Sequence, residues 1–208
     1  MKERMKAEGA LGAYRIGKRC LDILGALLLL ILLALPMLVI ACAVELDSPG
    51  GVLFRQERIG RGGKPFVCLK FRTMYRSAPR RTPAALLSDA ERYVTPVGRW
   101  LRRMSLDELP QLWNVLRGEM SLVGPRPLIP EEEAIHRMRV ANGVYACRPG
   151  ISGLAQVGGR NGLSDWEKVA CDRYYAEKVS LRLDLKILFY TLRNVITGDG
   201  VTAEKKEK

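Results

Sequence analysis

Hydrophobic positions along the chain fall into three regimes: one long unbroken run, one stretch at period two, and several stretches at helical spacing. The run, Ile23 to Val44, holds twenty-two residues without a charge and contains Pro36. At ~1.5 Å per helical residue it would reach about 33 Å, enough for a hydrocarbon core of roughly 30 Å. Pro36 cannot donate to the carbonyl of Leu32, and its ring crowds that turn. A kink is therefore expected, with about 20 Å of helix before it and about 12 Å after it, so neither arm spans alone. From Gly50 the period becomes two: Val52-Leu53-Phe54 leads to Ile59, Gly60-Arg61-Gly62-Gly63 makes a turn, and Pro65 to Phe71 returns. This predicts a β-hairpin. In its second strand Val67, Leu69 and Phe71 share one face while Cys68, Lys70 and Arg72 share the other, so two cations either aim at one anion or form a solvated basic face.

Helical spacing follows. Ser77 to Pro83 is polar and proline-containing, which predicts a mobile loop, and Leu86 to Met104 predicts a helix broken near Thr95-Pro96. Arg99, Arg102 and Arg103 would share one face of it. A second helix is expected from about Pro110 to Leu116, and a solvated one around Glu131, Glu132, Glu133, His136, Arg137 and Arg139. Tyr174 to Ile196 mixes Leu181, Leu185, Leu188, Leu192 and Val195 with Lys178, Arg182, Lys186 and Arg193. That pattern is a basic amphipathic helix, suited either to a headgroup plane or to packing on a core. No internal repeat occurs, and the Ala203 to Lys208 tail reads as disordered.

Charge bears on topology. Lys2, Arg4, Lys6, Arg15, Lys18 and Arg19 precede the apolar run, and Arg55, Arg58, Arg61, Lys64, Lys70 and Arg72 follow it. Short cytoplasmic flanks collect Lys and Arg, so basic flanks on both sides favour a re-entrant hairpin over one tilted transmembrane anchor, though the anchor stays open on this count alone. No small-residue cleavage site follows the run, which argues against a signal peptide. About 160 residues remain after Val44, enough for one domain. The five cysteines include no C-x-x-C pair, as expected of a reduced, cytosol-facing protein. With 34 Lys and Arg against 22 Asp and Glu, net +12, the chain should favour acidic lipid headgroups, phosphorylated substrates or nucleic acid, and composition does not separate these.

Three blocks carry candidate chemistry. In Ser105-Leu106-Asp107-Glu108-Leu109-Pro110, Ser105 and Glu108 fit a capping box, S-x-x-E. Alternatively Pro110 is the first helical residue, and Asp107-Glu108 sit on the turn before a helix whose positive end keeps Asp107 ionised. An ionised carboxylate there can act as a nucleophile, or as a ligand to Mg²⁺ shared with substrate phosphates. Pro125 and Pro127 pin the backbone around Arg126, which suits a guanidinium that grips phosphate in one geometry. Arg148 to Gly162 packs five glycines among two arginines and two amides and reads either as a flexible surface loop or as a ligand loop. It matches neither a P-loop nor a strand–GxGxxG–helix unit. His136 is the only histidine and reads as a surface residue, so no zinc site or Ser-His-Asp triad can be assembled convincingly.

The Pro-broken apolar helix, Lys70-Phe71-Arg72-Thr73-Met74, SLDELPQLWNVLRGEMSLVGPRP (Ser105 to Pro127) and RPGISGLAQVGGR (Arg148 to Arg160) together resemble the monotopic phosphoglycosyl transferases, the bacterial sugar transferase family, from about Arg15 to Ile196. The resemblance implies an α+β, mostly helical, monotopic membrane protein on the cytoplasmic face of a bacterial inner membrane. Residues 1–45 would form a Pro-kinked re-entrant helix, 46–197 a cytosolic catalytic domain with a small β-hairpin and amphipathic interfacial helices, and 198–208 a disordered tail. It implies transfer of a sugar 1-phosphate from a UDP-sugar to polyprenyl phosphate with release of UMP, and no nucleic-acid partner. Asp107 would be the nucleophile and Mg²⁺ ligand, and Glu108 would handle protons or orient its neighbour. Lys70, Arg72, Arg102, Arg126, Arg148, Gln156, Arg160 and Asp172 would bind substrate.

Two features depart from the family pattern. Leu35 stands before Pro36 where a serine often does, so the kink rests on Pro36; Leu154 and Gly158 replace a frequent aromatic and asparagine, which bears on sugar preference. Two other readings compete: a glycosyltransferase that releases UDP, and a non-enzymatic basic membrane adaptor.

Overall fold

The computed structural model describes residues 2–79, 90–159 and 162–197. Part of the loop read at Ser77 to Pro83, the start of the helix read from Leu86, Arg160 and the tail after Thr197 lie outside the described residues.

The apolar run forms two helices, α1 (Lys2–Leu32) and α2 (Ala34–Asp47), whose axes bend by 64° at Leu33. The ladder holds on either side of the bend: Leu33 N–H donates to Leu29 (2.8 Å) and Met37 N–H to Leu33 (2.8 Å). Pro36 has no N–H to give Leu32, and the chain turns where that rung is missing. The second arm exceeds the expected 12 Å because the bend falls at Leu33, which puts Ala34 to Pro36 in this arm, and because Glu45 to Asp47 continue the helix; α2 is 14 residues, about 21 Å. Among the described residues no single helix is long and apolar enough to cross a membrane, while the bent pair meets that length and composition together. One face of α1 is docked. Asp22 is buried and accepts from Ser121 Oγ (3.0 Å) and Leu122 N–H (3.1 Å), and Ala26 is fully buried beside Leu112, Val115 and Met120. The other faces of α1 leave Leu24, Leu28 and Ile31 exposed, and α2 exposes Leu35, Leu38 and Val39, an apolar surface unusual for a part facing water.

The hairpin is present: β1 (Leu53–Ile59) pairs antiparallel with β2 (Pro65–Phe71), from Ile59 opposite Pro65 to Leu53 opposite Phe71. Its basic face is the inward one. Phe66 and Cys68 pack on Leu112, Val115 and Met120, whereas Val67 is exposed. Phe71 is buried too, against Ile40, Val44 and Leu101.

Helix α3 (Pro96–Arg103) starts where Thr95-Pro96 predicts, with Thr95 Oγ1 accepting from Gly98 N–H at 2.9 Å. Gly98 must be glycine: a Cβ there would lie 2.2 Å from the carbonyl oxygen of Thr73. A 3-10 turn (Leu106–Glu108) leads to α4 (Gln111–Arg117), followed by β3 (Ser121–Val123), α5 (Glu133–Ala141), β4 (Gly150–Ser152), α6 (Leu154–Gly159), α7 (Asp165–Lys178) and α8 (Leu181–Thr197). Three expectations are corrected here. The stretch after Arg148 is no flexible surface loop: β4 pairs parallel with β3, and the two chains approach so closely that a Cβ on Gly150 would lie 2.0 Å from Gly124 N. The helix read from Tyr174 to Ile196 is two helices, broken at Val179-Ser180, where Ser180 Oγ accepts from Leu183 N–H (3.4 Å) at the start of α8. α8 buries Asp184 and Ile187 and exposes Leu181, Leu185, Leu188, Phe189, Leu192 and Ile196. Finally, His136 is half-buried rather than a surface residue: its ring stacks on Tyr145, Nδ1 meets the Tyr145 hydroxyl, and Nε2 meets the Ile129 carbonyl at 2.8 Å.

Candidate active site

Ser105 ends α3 in the left-handed region (φ 56°, ψ 21°), the one non-glycine residue with positive φ among the described residues. Such a conformation costs on the order of 1 kcal/mol or more and collects at functional sites. It reverses the chain so that Leu106–Glu108 form the 3-10 turn ahead of α4. Ser105 does not cap that turn with its side chain, and Glu108 is engaged elsewhere, so the capping box is not formed. Pro110 is the N-cap of α4 rather than its first helical residue, which leaves Asp107-Glu108 on the turn before the helix as expected.

Glu108 is buried and takes two cations from different elements, Lys70 Nζ at 2.7 Å and Arg126 Nη1 at 3.4 Å, both on Oε1. Lys70 arrives on β2, which Asn114 of α4 holds in place: Asn114 Oδ1 accepts from Leu69 N–H (3.0 Å), and its Nδ2 donates to the Val67 carbonyl (2.7 Å). Arg126 arrives between its two prolines. Arg139 Nη1 donates to the Arg126 carbonyl (2.8 Å), and Arg58 Nη1 to the Pro127 carbonyl (3.0 Å). Glu108 in turn holds the Arg126 guanidinium above its ordinary range. Arg102, fixed through Nε to Thr73 Oγ1 (2.9 Å), completes the surround.

Asp107 sits half-buried among these groups. Burial raises its carboxyl above the usual range and Glu108 adds to the rise, while Lys70, Arg102 and Arg126 oppose it. The turn stands ahead of α4 as expected, and burial, Glu108 and three cations act on the same carboxyl. Three positive and two negative side chains leave one surplus positive charge, an environment for an anionic substrate beside a carboxylate of heightened basicity.

Other sequence-predicted residues are placed elsewhere. Arg72 is buried and donates to the carbonyls of Ser48 and Pro49, anchoring the end of α2 rather than joining Lys70 on one anion. Asp172 is buried and ion-paired with Arg139 (2.5 Å) between α5 and α7. Gln156 donates to the Ile151 carbonyl (3.0 Å), with its Oε1 buried and unpartnered. Arg148 donates through Nε to the Gly118 carbonyl (2.9 Å), at the far end of α4 from the dyad. Pro36 lies three residues past the bend. Asn114, Arg58 and Arg139 support the site without having been singled out for it. Nothing in their spacing distinguishes them from surface polar residues, since each acts through a backbone carbonyl or amide distant in sequence.

The family model described as bacterial sugar transferase matches residues 13–198. The chain is similar to a UDP-glucose:undecaprenyl-phosphate glucose-1-phosphate transferase of Caulobacter vibrioides, 44% identical over 90% of this chain and 73% of the relative. It is 41% identical to the exopolysaccharide production protein ExoY of Sinorhizobium fredii, over 89% of this chain and 88% of that one. A UDP-N-acetylgalactosamine-undecaprenyl-phosphate N-acetylgalactosaminephosphotransferase of Aeromonas hydrophila is 39% identical over 90% of this chain and 45% of its own length.

Proposed function

The chain belongs to the bacterial sugar transferase family and is a transferase, and from that premise we propose that it moves a sugar 1-phosphate from a UDP-sugar to undecaprenyl phosphate, through Asp107, with release of UMP. The observation that carries this reading is the half-buried Asp107 carboxylate beside a Glu108 already clasped by Lys70 and Arg126. With the second carboxylate neutralised by cations, a donor diphosphate can approach without facing two bare negative charges. An Asp107 oxygen attacks the sugar-bearing phosphorus; the bond from that phosphorus to the bridging oxygen breaks, and the electron pair leaves on UMP. Arg102 and Arg126 stand where charge on the phosphoryl oxygens would be stabilised. The phosphate of the polyprenyl acceptor then attacks the same phosphorus and frees Asp107.

Among the described residues no three His, Cys, Asp or Glu side chains converge on a metal site. The residues fit Mg²⁺ only as an ion shared with the substrate's diphosphate, held by Asp107, because Glu108 is taken by cations. Bound there, Mg²⁺ would neutralise charge on the diphosphate.

The test is the nucleotide product. Given a panel of UDP-sugars that includes UDP-glucose and UDP-N-acetylgalactosamine, with Mg²⁺ and undecaprenyl phosphate, the full chain is expected to release UMP from at least one. Release of UDP instead would assign transfer of the sugar without its phosphate.

The bent α1–α2 pair is read as re-entrant, dipping into the cytoplasmic leaflet of a bacterial inner membrane and returning. Basic flanks on both sides, the exposed apolar faces of α1 and α2 and the exposed apolar face of α8 support it. Pro36→Ala restores the missing rung, so the helix is expected to straighten and carry the N-terminus across. A single cysteine placed near residue 5 should then react with an impermeant reagent in intact cells; equal protection in variant and parent would show that Pro36 does not set topology.

A further inference from the structure

Between α1, the hairpin turn and the segment before β4 lies a cavity of ≈ 50 Å³ lined by Lys18, Arg19, Asp22, Arg61, Ser121 and Arg148 among others. We propose that this cavity is a second anion site, shaped for a single phosphate group and separate from the Asp107 centre.

Its charge is unbalanced in a specific way. Lys18 is paired with Asp184 (2.6 Å) and Asp22 (3.7 Å), whereas Arg19, Arg61 and Arg148 form no ion pair within 4 Å of a carboxylate among the described residues. Arg19 donates through Nη1 to the Val115 carbonyl (2.7 Å) and through Nη2 to the Leu116 carbonyl (3.1 Å); Arg148 donates through Nε to the Gly118 carbonyl. Two arginines at the carbonyl end of a helix have a structural explanation, since cations complement that end of the dipole. It does not cover Arg61, which comes from the hairpin turn and brings a third positive charge to the same space. The crowding is felt: burial lowers the Arg148 guanidinium, and Arg19 and Arg61 lower it further, against the opposing pull of Asp22. Lys18, Arg19, Arg61 and Arg148 face this cavity against the single carboxylate of Asp22, and the surplus positive charge is relieved by an anion.

The site is not the dyad's. The seven residues of α4 put about 10 Å between the Asp107-Glu108 turn and the carbonyls that Arg19 and Arg148 hold. Along the hairpin, the rung Ile59–Pro65 next to Arg61 lies five residues, about 17 Å, from the rung of Lys70. The cavity, ≈ 50 Å³, is small and lined by three arginines, which suits a group the size of a phosphate. Arg148 thereby moves from the substrate-binding set to this second site. Arg19 sits four residues before the apolar run, so on the re-entrant reading the cavity lies at headgroup depth and a lipid phosphate is one source of the anion. A soluble phosphate needs no such assumption.

The experiment uses the full chain in non-ionic detergent, in an Asp107→Asn background so that no turnover intervenes. Inorganic phosphate, a short-chain phosphatidylglycerol and the matching diacylglycerol are titrated separately. Binding of phosphate, of the phospholipid or of both is expected, with none of the diacylglycerol. Tighter binding of the phospholipid assigns a headgroup, and equal or weaker binding assigns a soluble phosphate. Arg61 is exposed on a turn, so its variants should fold; Arg61→Glu should weaken the site at least about tenfold, with Arg61→Lys near the parent and Lys70→Gln leaving this component in place. Affinity unchanged in Arg61→Glu, or no binding of either phosphate, overturns the proposal. UMP release by the parent protein is scored separately, so the two readings fail independently.

Discussion

Asp107→Asn should lose UMP release by at least about 10³-fold while the protein folds and partitions to membrane as the parent does. Asn keeps the shape of the side chain and removes its charge and nucleophilicity. Asp107 makes none of the ion pairs that hold the site together; those run through Glu108 to Lys70 and Arg126. The substitution also deletes a half-buried carboxyl whose charged form burial disfavours, so the thermal midpoint should hold or rise slightly. Residual turnover within about tenfold of the parent, in a folded variant, would remove Asp107 from the covalent role and leave Glu108 as the remaining carboxylate of the turn. Glu108→Gln is a different case, because it strips the counter-charge from Lys70 and Arg126 at once and should lower stability and turnover together.

What could be read from the sequence was local. The hairpin followed from alternation and a Gly-rich turn, the start of α3 from Thr95-Pro96, and the bend from Pro36, since each depends on neighbours in the chain. The dyad, Lys70, Arg102 and Arg126 came from blocks of sequence, and the structure brings these five together. Partner choice was not legible. Alternation put Lys70 and Arg72 on one face of β2, but the strand runs past two different partners, so Lys70 meets Glu108 while Arg72 meets the end of α2. Asp172 reads as a substrate carboxylate until α5 is packed on α7 and supplies Arg139. His136 looks solvated among charges because the ring that covers it, Tyr145, belongs to a turn beyond α5. Similarly, the glycines after Arg148 read as flexibility, although Gly150 is there to let β4 pack against Gly124.

Asp172→Asn tests whether that residue serves the fold or the substrate, and should be strongly destabilising. Asp172 and Arg139 pair at 2.5 Å with side chains 2% and 4% exposed, so removing the carboxylate leaves a guanidinium buried and uncompensated. Breaking such a pair costs about 3–5 kcal/mol, a large share of the roughly 5–15 kcal/mol that holds a domain, and at about 2–4 °C per kcal/mol it lowers the midpoint by about 6–20 °C. Thermal unfolding in detergent reads this directly. A substrate-binding Asp172 would behave differently, raising KM with the midpoint unmoved, and that result would return it to the substrate set. The double variant Arg139→Met, Asp172→Leu separates packing from positioning. Replacing both charges with apolar groups should recover most of the lost stability. It should not recover turnover, because Arg139 Nη1 also holds the Arg126 carbonyl at 2.8 Å, and without that bond the guanidinium on Glu108 is anchored only by its prolines and by Arg58 on Pro127. A stable double variant with reduced kcat makes Arg139 a positioning residue for Arg126, reached through Asp172; one with parental kcat makes the pair a packing feature alone.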